Sequence, residues 1–192
     1  RFRPVHHHLQ VYGVCEDCRL SRQSNDQGEY DSEKVFARDA LAMAISMEKR
    51  GIDLYREAAA RNEDPAGSGV FETIAGEGSR HLAKLESEFE DLLRTDKNVR
   101  RAPVFLHLDP KALDRVVPDL RELEHNGEFR LDARGSLELA LRFEKGIADL
   151  FRQYAAGFLE TSGKNIFLRF AEDEAQHCTS IASRMEQLAQ VV

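Results

Sequence analysis

Residues 41–60 read LAMAISMEKRGIDLYREAAA, and 96 positions later residues 137–156 read LELALRFEKGIADLFRQYAA. Without a gap, Leu41 falls on Leu137, Ala44 on Ala140, Glu48 on Glu144, Lys49 on Lys145, Asp53 on Asp149 and Leu54 on Leu150. The register holds further along, where Gly67 meets Gly163, Phe71 meets Phe167, Ala75 meets Ala171 and His81 meets His177. Sixteen of the 52 positions from 41 to 92 are identical under this shift, too many for composition to supply, so the chain carries two copies of one unit.

Each copy reads as a helical hairpin. Leu41, Ile45, Ile52, Tyr55 and Ala59 recur at three- and four-residue steps, the stripe of an amphipathic helix. Residues 62–69, with Asp64-Pro65 and two glycines, are expected to stop it. Phe71, Ile74, Leu85, Phe89 and Leu92 form a second stripe. The second copy repeats the pattern with Leu137, Leu141, Ala148, Phe151 and Ala155, a break at 161–163, then Phe167, Phe170, Ile181, Met185 and Leu188. Ser136 is the expected N-cap of the third helix. Four long helices in two hairpins predict an all-α four-helix bundle. The connection from 96 to 134, with three prolines, is far longer than the usual two- to eight-residue helix–helix loop. A bundle whose second and third helices run in parallel requires such a crossover, as ferritin-like topologies have.

Composition bounds the rest. At 192 residues with 42% hydrophobic and 32% charged side chains, the chain suits one folded domain with an appendage, expected as an arm over 1–33 and a bundle over 34–192. No apolar run approaches the ~20 residues of a membrane span. A formal charge of −7 gives no electrostatic footprint for nucleic acid. Three cysteines make no disulfide framework, which points to a reducing cytoplasm. The chain opens at Arg1 without a secretory pattern and is expected to be a fragment of something longer.

Polar residues interrupt the apolar stripes. Glu48 sits where a core residue belongs on the first helix, Glu144 on the third, Glu174 and His177 on the fourth, and His81 on the second. With turns near 64 and 161, Glu48, His81, Glu144 and His177 all lie roughly 24–26 Å from a turn, at one height in the bundle. Burying several carboxylates together is costly unless positive charge accompanies them. Glu174 and His177, at i and i+3, can share a metal. Oxygen and imidazole donors without thiolate suit iron or manganese, and also zinc. A metal-free hydrogen-bonded network, with Lys49 or Arg50 supplying charge, is the other reading of the same residues. Tyr55 on this stripe reads as core packing or as a redox neighbour of the metals. Asp53 and Asp149 fall off the ligand stripe, on a solvated face.

The segments 45–51 (ISMEKRG) and 171–177 (AEDEAQH) resemble the rubrerythrin branch of the ferritin-like superfamily, over residues 36–190. That resemblance implies a carboxylate-bridged di-iron centre with one Glu from each hairpin's first helix and a Glu-x-x-His from each second helix. It places Glu48, His81, Glu144, Glu174 and His177 at ligand positions. The sixth position is Gly78, where the family has a bridging glutamate, and Glu77 is the possible substitute. The implied chemistry is reduction of hydrogen peroxide or oxygen with oxidation of Fe(II), fed by an external electron donor, in a protein expected to form a homodimer. The alternative is a non-enzymatic iron or peroxide sensor joined to a repressor-like regulator. A weak second metal site is expected at His6, His8, Cys15 and Cys18, in a stretch that resembles the metal-binding strand of ferric-uptake-regulator repressors and, loosely, one rubredoxin knuckle.

Overall fold

The computed structural model describes residues 30–125, 128–158 and 162–190. Four long helices dominate: α1 (Ser32–Arg61), α2 (Pro65–Thr95), α5 (Ala133–Ala156) and α6 (Ser162–Gln190). Between α2 and α5 lie two short helices, α3 (Lys97–Arg101) and α4 (Pro110–Val116), and a 3-10 turn at Leu120–Leu123. None of the described helices is long and apolar enough to cross a membrane.

Aspartates start three of the long helices. Asp31 accepts from the amides of Glu33 and Lys34, Asp64 from that of Gly67 at 2.9 Å, and Asp132 from that of Gly135 at 2.7 Å. Each answers amides that have no partner within the helix. Pro65 opens α2, where its missing N–H costs nothing. Two helix boundaries differ from expectation. The break after α1 spans 62–64 rather than 62–69, because Asp64-Pro65 is a helix start as much as a helix stop. The N-cap of α5 is Asp132, not Ser136, which is fully buried in the first turn beside Asn62 and Leu131.

Gly67 and Gly163 are not breakers either. Both lie inside helices, at points where another segment passes too close for a side chain. A Cβ on Gly67 would overlap the Leu131 carbonyl oxygen, and one on Gly163 would meet the Phe36 backbone at 3.2 Å. The duplicated glycines are close-packing positions.

α1 packs on α2, α5 on α6, α1 on α6 and α2 on α5. The segment after α2 returns to the start of α1, where Lys34 meets Asp96 at 3.2 Å. The segment before α5 lies at the far end of α1, held by Asn62, which donates to the Leu131 carbonyl and accepts from its amide. The crossover therefore travels the length of the bundle, and α2 and α5 run in parallel. It is anchored at its beginning by a buried pair: Arg38 binds Asp39 at 2.6 Å and donates to the carbonyls of Val99, Ala102 and Pro103. Asp39 in turn accepts from the amides of Phe105 and Leu106. Leu106, Ala112, Leu120 and Phe129 of the crossover then join the core of Leu41, Met47, Phe71, Leu137, Phe143, Phe151, Phe167, Phe170 and Ile181. Leu188, expected on the fourth stripe, is exposed near the end of α6.

Candidate metal centre

The core stripes bring four helices' polar residues to one level. Glu48 of α1, Glu144 of α5 and Glu174 of α6 are buried, Glu174 completely, with 0% of its surface exposed. His81 of α2 and His177 of α6 complete the set. Among the described residues, two triads offer donor atoms within 4.8 Å of one another: Glu48, His81 and Glu174, and Glu144, Glu174 and His177. Glu174 belongs to both. Its Oε1 lies 3.9 Å from Nδ1 of His81, and its Oε2 lies 3.3 Å from Nδ1 of His177. Nδ1 of His81 is also 3.6 Å from Oε2 of Glu48, and Nδ1 of His177 is 3.8 Å from Oε2 of Glu144.

Supporting contacts fix these side chains. The Tyr55 hydroxyl donates to Oε1 of Glu144 at 2.5 Å. Asp173 places Oδ2 3.3 Å from Nε2 of His81, so that Nδ1 is left facing Glu48 and Glu174. The His81 ring stacks on Phe170, with centroids 5.5 Å apart, and meets His177 edge-on. Two buried polar atoms, His81 Nδ1 and Glu174 Oε1, have no hydrogen-bond partner. Buried polar atoms are rarely left so. Both orphans belong to the same triad, and a cation between them would satisfy both. The donor set of carboxylate oxygens and imidazole nitrogens fits a hard to borderline divalent ion.

The electrostatics report crowded negative charge. Burial raises the Glu174 carboxyl well above its ordinary range, and Glu144 and Glu48 add to the effect while His177 opposes it. The carboxylates of Glu144 and Glu174 push His177 up to about 11, against the opposing pull of burial. For Glu144, burial is the largest influence and raises it. The hydrogen bonds with His177, Glu174 and Tyr55 outweigh that and leave it lowered. Tyr55 is raised well above the usual tyrosine value, first by burial and then by Glu144. Both shifts favour the protonated forms of Glu174 and His177.

Gly78 occupies the position duplicated as Glu174. A Cβ there would meet Oε1 of Glu48 at 3.0 Å and Cγ1 of Ile52 at 3.1 Å, so Glu48 already uses this space. Glu77 is not in either triad; its carboxylate pairs with Arg184 of α6. Beside them lies a cavity of about 20 Å³, lined by Glu48, Glu77, Gly78, Glu144 and His177 among others. That is room for about one water-sized group.

Asp53 and Asp149 are exposed, Asp149 paired with Arg152. Cys178 is half-buried outside the triads, its thiol raised to about 11 by burial, with Glu144 and Glu174 adding to the shift. The sites expected at His6, His8, Cys15 and Cys18 lie outside the described residues. Sequence reasoning missed Asp173 and Arg184 and left Tyr55 undecided. Tyr55 had a signal, since it stands two turns from Glu48 on the same stripe, whereas the other two depend on the register of α2 against α6. Comparison with family models, curated proteins and solved structures finds no match to this chain.

Proposed function

We propose that the chain is a ferritin-like, rubrerythrin-type protein whose bundle holds two cations, iron in the working state, for reduction of hydrogen peroxide or oxygen. The observation that carries this reading is Glu174, shared by two triads with a buried, unpartnered oxygen in one of them. A carboxylate shared in this way is suited to bridging two ions. The rubrerythrin resemblance of the Glu48 and Glu174-x-x-His177 segments supplies the identity of the metal and the reaction class.

Two Fe(II) ions held here would provide the two electrons that, with two protons, convert hydrogen peroxide to two waters. The chain's own residues set the conditions. Glu48 and Glu144 would hold the cations from opposite hairpins, together with Glu174, which belongs to both triads. Asp173 holds His81 with Nδ1 turned to the centre, the orienting role that outer carboxylates play for ligating histidines. Tyr55 orients Glu144 and stabilises its charge. Phe143, Ile147 and Ile181 line the cavity and limit water. The rubrerythrin resemblance implies an external electron donor.

The sensor reading is favoured by one observation: position 78 contributes no carboxylate and Glu77 is turned to Arg184. The iron-loaded protein with an excess of reductant separates the two. Sustained peroxide consumption, lost in Glu174→Ala, is the expected result. A single stoichiometric oxidation with no turnover would instead support the sensor.

A further inference from the structure

Glu77 stands four residues before His81 on α2 and therefore on the same face. It lines the small cavity with Glu48, Gly78, Glu144 and His177, yet its carboxylate is bound by the guanidinium of Arg184. The two side chains are partly exposed, 31% for Arg184 and 29% for Glu77, so the pair sits at the rim of the centre. At the same centre, Oε1 of the fully buried Glu174 and Nδ1 of His81 lack partners. The triad with the unpartnered atoms and the cavity that Glu77 lines share Glu48.

We propose that Glu77 is a reserve ligand, latched by Arg184 while the centre is metal-free and released to the His81 half when cations bind. This rests on the two-cation reading above. The charges explain why the residue would be held off. Without cations, a fourth carboxylate beside the buried Glu48, Glu144 and Glu174 adds like-charge repulsion. Arg184 removes that repulsion by holding Glu77 outward. Two divalent cations reverse the balance, since their four positive charges exceed the three carboxylates of the triads. A partly exposed ion pair contributes little stability, so its release is a small cost beside a new cation–carboxylate bond. Released Arg184 reaches solvent from where it already stands.

Cobalt(II) titration, followed by its visible absorption, tests the latch in four proteins: wild type, Glu77→Gln, Arg184→Gln and the double variant. Wild type takes up two equivalents. Glu77→Gln weakens one of them about ten-fold or more. Arg184→Gln tightens that same equivalent by up to about five-fold, the equivalent of a partly exposed ion pair. The double variant matches Glu77→Gln, because without the carboxylate there is nothing to release. If the two single variants move cobalt affinity in the same direction, or not at all, the pair is only a strap between α2 and α6. Thermal melts of the metal-free proteins show whether both variants remain folded. A wild type that binds no cobalt would overturn the two-cation reading itself, whereas wild-type binding unaffected by Glu77→Gln would overturn the latch alone.

Discussion

Nδ1 of His81 and Oε1 of Glu174 lie 3.9 Å apart in the bundle interior, and neither has a hydrogen-bond partner. Glu48 approaches the same nitrogen to 3.6 Å from a third helix. Three helices thus aim donor atoms at one another without making hydrogen bonds among those atoms. A stable core does not ordinarily tolerate this, because each unpaired buried polar atom costs about 1–3 kcal/mol. A cation bound among these atoms would account for the arrangement in one step.

The metal-free protein is expected to lose thermal stability as pH rises above about 6.5. The folded His177 is raised to about 11 by Glu144 and Glu174, so its contribution is complete below its unfolded value and disappears as pH passes through the folded one. Glu174 acts in the same direction, since its buried carboxyl favours the protonated form. Cations replace these protons, so metal affinity rises with pH over the same interval. Melting curves in chelator and in excess manganese(II), from about pH 6 to 8.5, should show the gap between the midpoints widening. A gap that narrows with pH would contradict this proton inventory.

Tyr55→Phe removes the donor to Glu144 while keeping the ring that packs on Phe71 and Phe143. The variant should be about 1–3 kcal/mol less stable and bind metal about ten-fold more weakly. Denaturant titration and metal competition measure the two effects separately. A stability loss with unchanged affinity would reduce Tyr55 to a core residue.

Asp39→Ala leaves Arg38 buried without its counter-ion and frees the amides of Phe105 and Leu106. The expected loss is about 3–5 kcal/mol by urea unfolding. Replacing both residues with apolar ones should not restore stability, because Arg38 also serves three crossover carbonyls. Full recovery in the double variant would show that those carbonyls find water unaided.

The hairpins and the long crossover were legible because they follow from patterns that survive without coordinates. Glu48 and Glu144 stood out as acidic residues on apolar stripes, and the duplication gave each a counterpart. Arg38 and Asp39 were not legible, since adjacent charged residues read as surface until the crossover covers them. Ser136 and Asp132 are both good caps four residues apart, and only the buried approach of Asn62 decides between them. Gly67 and Gly163 read as breakers because glycine signals both turns and close contacts. Tyr55 faces Phe151 in the duplication, so the repeat itself argued against a polar role that its contact with Glu144 shows.

The most direct measurement is the number of divalent cations held per chain after loading and desalting, by mass spectrometry, in three proteins. The account predicts two in wild type, two in Glu172→Ala, an exposed neighbour on α6, and no tightly held cation in Glu174→Ala. Two cations retained in Glu174→Ala would contradict it, because the carboxylate common to both triads would then hold neither.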